Sequence, residues 1–194
     1  MFIIGITGTL GAGKGTVVDC LVKGKGFRHH SVRGFLIREL ESRGMPVNRD
    51  TLTAIANSLR AKHGAAYIVE MLYHKAAAEQ QDCVIESIRT PGEIDLLRSK
   101  GDFYLLAIDA DPRIRYKRIR ERNSETDQIS FQTFVRNEER EMHASDPFKQ
   151  NLAACIHNAD HVIVNNGNIS QLNRKTEQFL KQIGFCGKKT KTNE

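Results

Sequence analysis

Residues 8–16 read Gly-Thr-Leu-Gly-Ala-Gly-Lys-Gly-Thr, four glycines set around one lysine and closed by a threonine. Glycine lets a backbone wrap tightly and turn successive N–H groups toward one anion. Lys14 adds a cation at the centre of that wrap. The chemistry this implies is phosphate binding, with Gly8, Gly11, Ala12, Gly13 and Gly15 shaping the loop and Thr16 offering a hydroxyl. Such a loop works only with a strand before it and a helix after it, whose N-terminal dipole favours an anion. Residues 2–7 form a short β-branched run, and 14–22 read as helix.

Other chemistry-bearing residues are spread along the chain. A third strand over 83–87 carries Glu86 near its end, where a carboxylate can orient water on a metal ion or accept a proton. Arg89 follows it, and an arginine is a planar, permanently charged fork suited to phosphate. Arg33 and Arg38 follow the second strand, 27–31. Asn57, Arg60 and His63 recur three residues apart on a helical segment, 49–63. Five arginines crowd residues 113–122, and Arg115, Arg118 and Arg122 share one helix face. A polar turn over 123–130 leads to a second helix, 131–143, with Arg136 and Arg140. The pair reads as two helices carrying arginines inward. His63, His74, His143 and His157 have no metal-ligand spacing.

The elements that must hold these residues alternate. Further strands are expected at 103–109 and 161–165, further helices at 33–42, 65–80 and 169–183, and Pro91 opens another helix. Strand–helix alternation predicts an α/β fold, a parallel sheet covered on both faces. Ligands in such sheets bind beyond the carboxyl ends of the strands, and every motif above falls at such an end.

With 194 residues, 40% of them apolar, the chain is long enough for one domain with a sizeable core, expected over 1–186. No apolar run approaches a membrane span, and no basic segment precedes the first strand, so no membrane partner and no signal peptide are expected. Cys20, Cys83, Cys155 and Cys186 form no C-x-x-C pair, which suits a reducing, cytoplasmic setting. Cys20 and Cys83 sit among apolar residues and are expected in the core. The net charge is +6, and four lysines against one glutamate from Lys181 onward account for half of it. Residues 187–194 are expected to be a flexible basic tail. Without basic runs interleaved with aromatics, nucleic acid is the weaker partner. A monomer or weak dimer is expected.

The Gly-Lys-Gly-Thr ending of the loop resembles adenylate kinase and other nucleoside monophosphate kinases. Glu86-Ser87-Ile88-Arg89-Thr90-Pro91 resembles their Asp-Gly-Phe-Pro-Arg-Thr segment, with Glu86 in place of the Asp. The same glutamate, the arginine-rich helix pair and Asn165-Asn166-Gly167 at the last strand resemble dephospho-CoA-kinase-related proteins. Together the likeness to P-loop nucleotide kinases spans 1–183. It implies a P-loop NTPase fold with a five-stranded parallel sheet, an acceptor-binding insertion over residues 33–80 and a lid over residues 113–142. It implies ATP with Mg²⁺ and a small nucleotide-type acceptor. It places Lys14, Glu86, Arg122 and Arg136 in catalysis, and the loop with Arg118 and Asn166 on ATP. Arg33, Arg38 and Arg89 fall to the acceptor, with Arg33 and Arg38 as alternatives. From its own helix face beside Asn57, Arg60 is expected to join them, and the residue chemistry makes Thr16 and Glu86 the candidates to face the metal, although in the resembled kinases phosphates and waters hold most of it. Asp127 would pair within the lid, and Arg136 or Arg140 would reach the transferring phosphate. Two other readings stay open: transfer to a ribose hydroxyl, as in dephospho-CoA kinase, and an ATP-binding regulatory module without catalysis.

Overall fold

The computed structural model describes residues 1–122 and 128–185. The expectations for Asp127, for Cys186 and for the tail over 187–194 lie outside them.

Strand β1, Ile3–Gly8, is buried along its whole length, as its run of Ile and Thr requires. It lies between β3 (Cys83–Glu86) and β4 (Phe103–Asp109). Outside these are β2 (Arg28–Ser31) and β5 (His161–Val164). All pairings are parallel, and the strand order is β2-β3-β1-β4-β5.

Successive strand side chains point to opposite faces, so the sheet separates two cores. Ile4, Ile6, Leu106 and Ile108 pack with α1 (Lys14–Lys25) and α9 (Ile169–Gln182). Ile3, Ile85 and Leu105 pack on the other face. There they meet α2 (Val32–Ser42), α3 (Arg49–His63), α4 (Tyr67–Glu79), α5 (Pro91–Arg98) and the short α8 (Leu152–His157). Two further helices, α6 (Pro112–Arg122) and α7 (Phe131–Met142), flank the C-terminal edge of the sheet.

Three details depart from the sequence reading. Helix α1 runs on to Lys25, where Gly26 turns at φ 76°, its N–H donating to the Val22 carbonyl and that of Phe27 to the Leu21 carbonyl. Helix α8 was not expected, because six residues give too short a run for a helical period to show. Cys20 is only half-buried, whereas Cys83 and Cys155 are fully buried and burial pushes both thiols up to about 12.

Candidate functional site

The loop after β1 is built as its sequence demands. Gly8 stands at φ 127°, and a Cβ there would lie 1.9 Å from the Ile108 carbonyl oxygen. Gly13 stands at φ 107°, and a Cβ would meet the Asn165 amide at 2.6 Å. Neither place admits a side chain. The Lys14 ammonium donates to the Gly8 and Thr9 carbonyls at 2.8 and 2.7 Å. Burial, helped by the Arg89 cation and opposed by Glu86 and Glu141, lowers its pKa to about 7. The loop is braced from outside. Asn165 donates to the Ala12 carbonyl at 2.8 Å, Arg115 to Leu10 at 3.3 Å, and Thr9 to the Asp109 carboxylate at 2.6 Å.

Past the loop a cleft of about 580 Å³ opens. Lys14, Thr16, Arg118 and Arg122 line it, as do Arg33, Arg49, Arg60 and Arg89. Val32, Leu36, Leu52 and Ala56 from α2 and α3 add an aliphatic wall. A more open hollow of about 560 Å³ between β5 and α9, lined by Val164 and Lys175, lies away from this chemistry.

Glu86 lines the cleft and sits 3.1 Å from His29 Nε2 on the neighbouring strand. That hydrogen bond holds its carboxyl below the ordinary range, against the effect of burial. Ser87, next in sequence, takes a left-handed φ of 74°, and the N–H groups of Ser87 and Ile88 both meet the Ile6 carbonyl. The kink turns the chain from β3 toward α5, so that Arg89 also reaches the cleft.

Long-range charge pairs order the arginine side. Arg60 is 1% exposed and bonds Glu93, itself 0% exposed, through Nε and Nη2 at 3.1 and 2.9 Å. Glu93 also closes the capping box of α5 with Thr90 and accepts the Arg89 N–H at 2.7 Å. Glu141 of α7 accepts from both Arg49 and Arg89. Arg115 is buried against Glu138, with Nη2 to Oε2 at 3.0 Å, and its guanidinium lies 5.4 Å from the Phe134 ring.

The structure therefore brings Gly11, Gly13, Lys14, Gly15, Thr16, Arg33, Arg60, Glu86, Arg89, Arg118 and Arg122 to one cleft. Gly8 and Ala12 shape the loop from behind it. Three expectations are corrected. Arg38 is exposed on α2 and does not line the cleft. Arg136 and Arg140 are likewise exposed and outside it; α7 turns Glu138 and Glu141 inward instead. Asn166 is exposed and accepts the Asp111 N–H, while its neighbour Asn165 braces the loop. Arg118 stays in the cleft lining and donates to the carbonyls of Asn165 and Gly167, at 2.9 and 2.8 Å. His29, Arg49, Glu93, Glu138 and Glu141 also shape the site, though none was a candidate site residue from sequence. Of these only Glu93 carried a local signal, the Thr90-x-x-Glu93 capping pattern.

A family profile described as an AAA domain matches residues 4–167. A UPF0200 protein of Methanococcus maripaludis strain S2 is 30% identical over 186 residues, 94% of this chain and 98% of that one. The chain belongs to the AAA domain family and to the UPF0200 proteins. Its fold is that of P-loop kinases. A gluconokinase from Sinorhizobium meliloti 1021 matches with TM-score 0.59 at 15% identity, over 94% of this chain and 93% of that one. A shikimate kinase from Acinetobacter baumannii, solved with shikimate, matches with TM-score 0.52 at 16% identity, over 94% of each. Among the described residues of this family member, no helix is long and apolar enough to cross a membrane.

Proposed function

We propose that the chain transfers the γ-phosphoryl group of ATP to a small, anionic, nucleotide-type acceptor. The observation that carries this reading is one cleft with two unlike kinds of lining. Loop residues and Lys14 share it with Arg33, Arg49 and Arg89 and an aliphatic wall, and in this reading the loop takes the donor and the arginines the acceptor. A phosphate needs the arginines, and the flat face of a base suits the wall of Val32, Leu36, Leu52 and Ala56.

Phosphoryl transfer asks a protein for positioning and charge stabilisation more than for covalent chemistry. In this reading the loop grips the triphosphate and Lys14 leaves its two carbonyl partners for the phosphate oxygens. Arg122, at the end of α6, faces the developing charge. The residues present fit Mg²⁺, a hard ion that takes oxygen ligands and keeps several waters. Thr16 offers a hydroxyl and Glu86 a carboxylate that His29 keeps ionised. When bound, the ion offsets charge on the phosphates. A phosphate-monoester acceptor is already nucleophilic and needs no base. A hydroxyl acceptor needs one, and the ionised Glu86 in the same cleft favours that second reading, transfer to a ribose hydroxyl.

The test is turnover of purified protein with ATP and Mg²⁺ against AMP, CMP, UMP, GMP, their deoxy forms and dephospho-CoA. Phosphorylated monophosphate supports the first reading and phosphorylated dephospho-CoA the second. ATP binding with no acceptor phosphorylated would replace both with a regulatory ATP-binding module.

A further inference from the structure

Glu141 stands between two arginines that arrive from distant parts of the chain. Arg49 opens α3 and reaches Oε1 through Nε at 3.1 Å and also through Nη2. Arg89, beyond β3, reaches Oε2 through Nη1 at 2.8 Å. The Glu141 side chain is 15% exposed, and all three residues line the cleft. Burial opposes the carboxylate charge, yet the Arg89 and Arg49 guanidinia hold it below the ordinary range.

The local fold does not call for this arrangement. Helix α3 is already capped by Asn48, which accepts the Thr51 N–H. Helix α7 is already seated through buried Phe134 and through Glu138 on Arg115. What remains is a carboxylate with one oxygen on each of two guanidinium forks, at the arginine side of the cleft. That is how a bound anion is held.

We propose that Arg49 and Arg89 form a two-armed clamp for a phosphate monoester on the acceptor, and that Glu141 fills this clamp as an internal stand-in which the acceptor displaces. This rests on the phosphoryl-transfer reading of the cleft. A phosphate outcompetes the carboxylate because it carries more charge and three acceptor oxygens. The cost of displacing Glu141 lowers apparent affinity by the fraction of molecules whose clamp is open. The exchange is also felt at the loop: α7 carries Glu138 as well, which holds Arg115 against Leu10.

The experiment measures binding of AMP and of inorganic phosphate to the full chain by calorimetry, with and without a non-hydrolysable ATP analogue. Glu141→Gln keeps the side-chain shape and removes the competing charge. It should bind AMP at least about tenfold more tightly than wild type. Arg49→Ala should bind AMP about tenfold more weakly, as expected for loss of one arm. Lys117→Ala, on the exposed face of α6, should match wild type. Equal or weaker binding by Glu141→Gln would make Glu141 a brace for the arginines and overturn the clamp. So would unchanged binding by Arg49→Ala, which also decides the matter if Glu141→Gln fails to fold, and so would no binding of either probe to any of the proteins. Failure of the ATP analogue to bind would remove the phosphoryl-transfer reading, and the comparison without it would still decide the clamp.

Discussion

The two sides of the cleft are made by different means. The loop side is a contiguous run of nine residues, 8–16, whose shape follows from glycine conformations and main-chain bonds. The arginine side is assembled from α3, the β3–α5 turn and α7. Its decisive contacts join residues 33, 52 and 92 positions apart, Arg60 to Glu93, Arg89 to Glu141 and Arg49 to Glu141. A backbone loop has few ways to be wrong once its glycines are placed. A set of charge pairs depends on every partner, because a buried charge left alone costs far more than the pair contributes. The loop side should therefore tolerate the loss of a brace, and the fully buried Arg60–Glu93 pair should not tolerate the loss of a partner.

Removing a partner should have the largest effect. Glu93→Ala strands the buried Arg60 guanidinium and undoes the capping box of α5. Stability should fall by about 3–5 kcal/mol, read as a lower urea midpoint. Replacing both members, Arg60→Met with Glu93→Gln, should cost less than Glu93→Ala alone. Equal losses would mean that the charge is not what matters there.

Removing a brace on the loop side should cost less. Asn165→Ala leaves the Ala12 carbonyl without its donor and should lower stability by about 1–3 kcal/mol. The loop should still bind ATP, more weakly, in a calorimetric titration. Complete loss of binding in that variant would show that the glycines alone do not hold the loop.

The smallest effect lies away from both sides. His30 is buried on β2, its Nε2 has no hydrogen-bond partner among the described residues, and Glu79 is 3.8 Å away. Burial lowers its pKa below the ordinary 6.5, with Glu79 pulling the other way. The unfolded chain then takes up a proton near 6.5 that the native chain refuses, so stability declines as pH falls below that value. Melting curves from neutral pH to about pH 5 should show that decline, shallower in His30→Leu. An identical decline in the variant would assign it to other groups.

The same contrast decides what the sequence revealed. β1, the loop and α1 were legible because pattern, turn and helix are adjacent. The parallel sheet followed from alternation; its strand order, β2-β3-β1-β4-β5, did not. On the arginine side, residue type was legible and helical phase was not. Arg33 and Arg38 are five residues apart, roughly 140° around a helix, so only one of them can face the cleft. In α7 the buried Phe134 fixes the inward face. Glu138 and Glu141 follow it at i+4 and i+7, and Arg136 and Arg140 fall on the other side. Counting arginines without that anchor gave the helix the wrong inward charge. Asn165 and Asn166 repeat the lesson at the end of a strand, where neighbours point to opposite faces. Arg49 and Glu141 are unremarkable in sequence and become a pair only when the fold brings α3 and α7 together.

The central claim is that one cleft has a donor side and an acceptor side that can be broken separately. The most direct measurement is the ATP dissociation constant, by calorimetry, for wild type, Lys14→Ala and Arg89→Ala. Lys14 belongs to the loop, and its loss should weaken ATP binding severely, by at least a few kcal/mol. Arg89 belongs to the acceptor side, and its loss should change ATP affinity by no more than about twofold while weakening AMP binding. Equal weakening of ATP binding by the two substitutions would contradict the account, as would unchanged ATP affinity in Lys14→Ala.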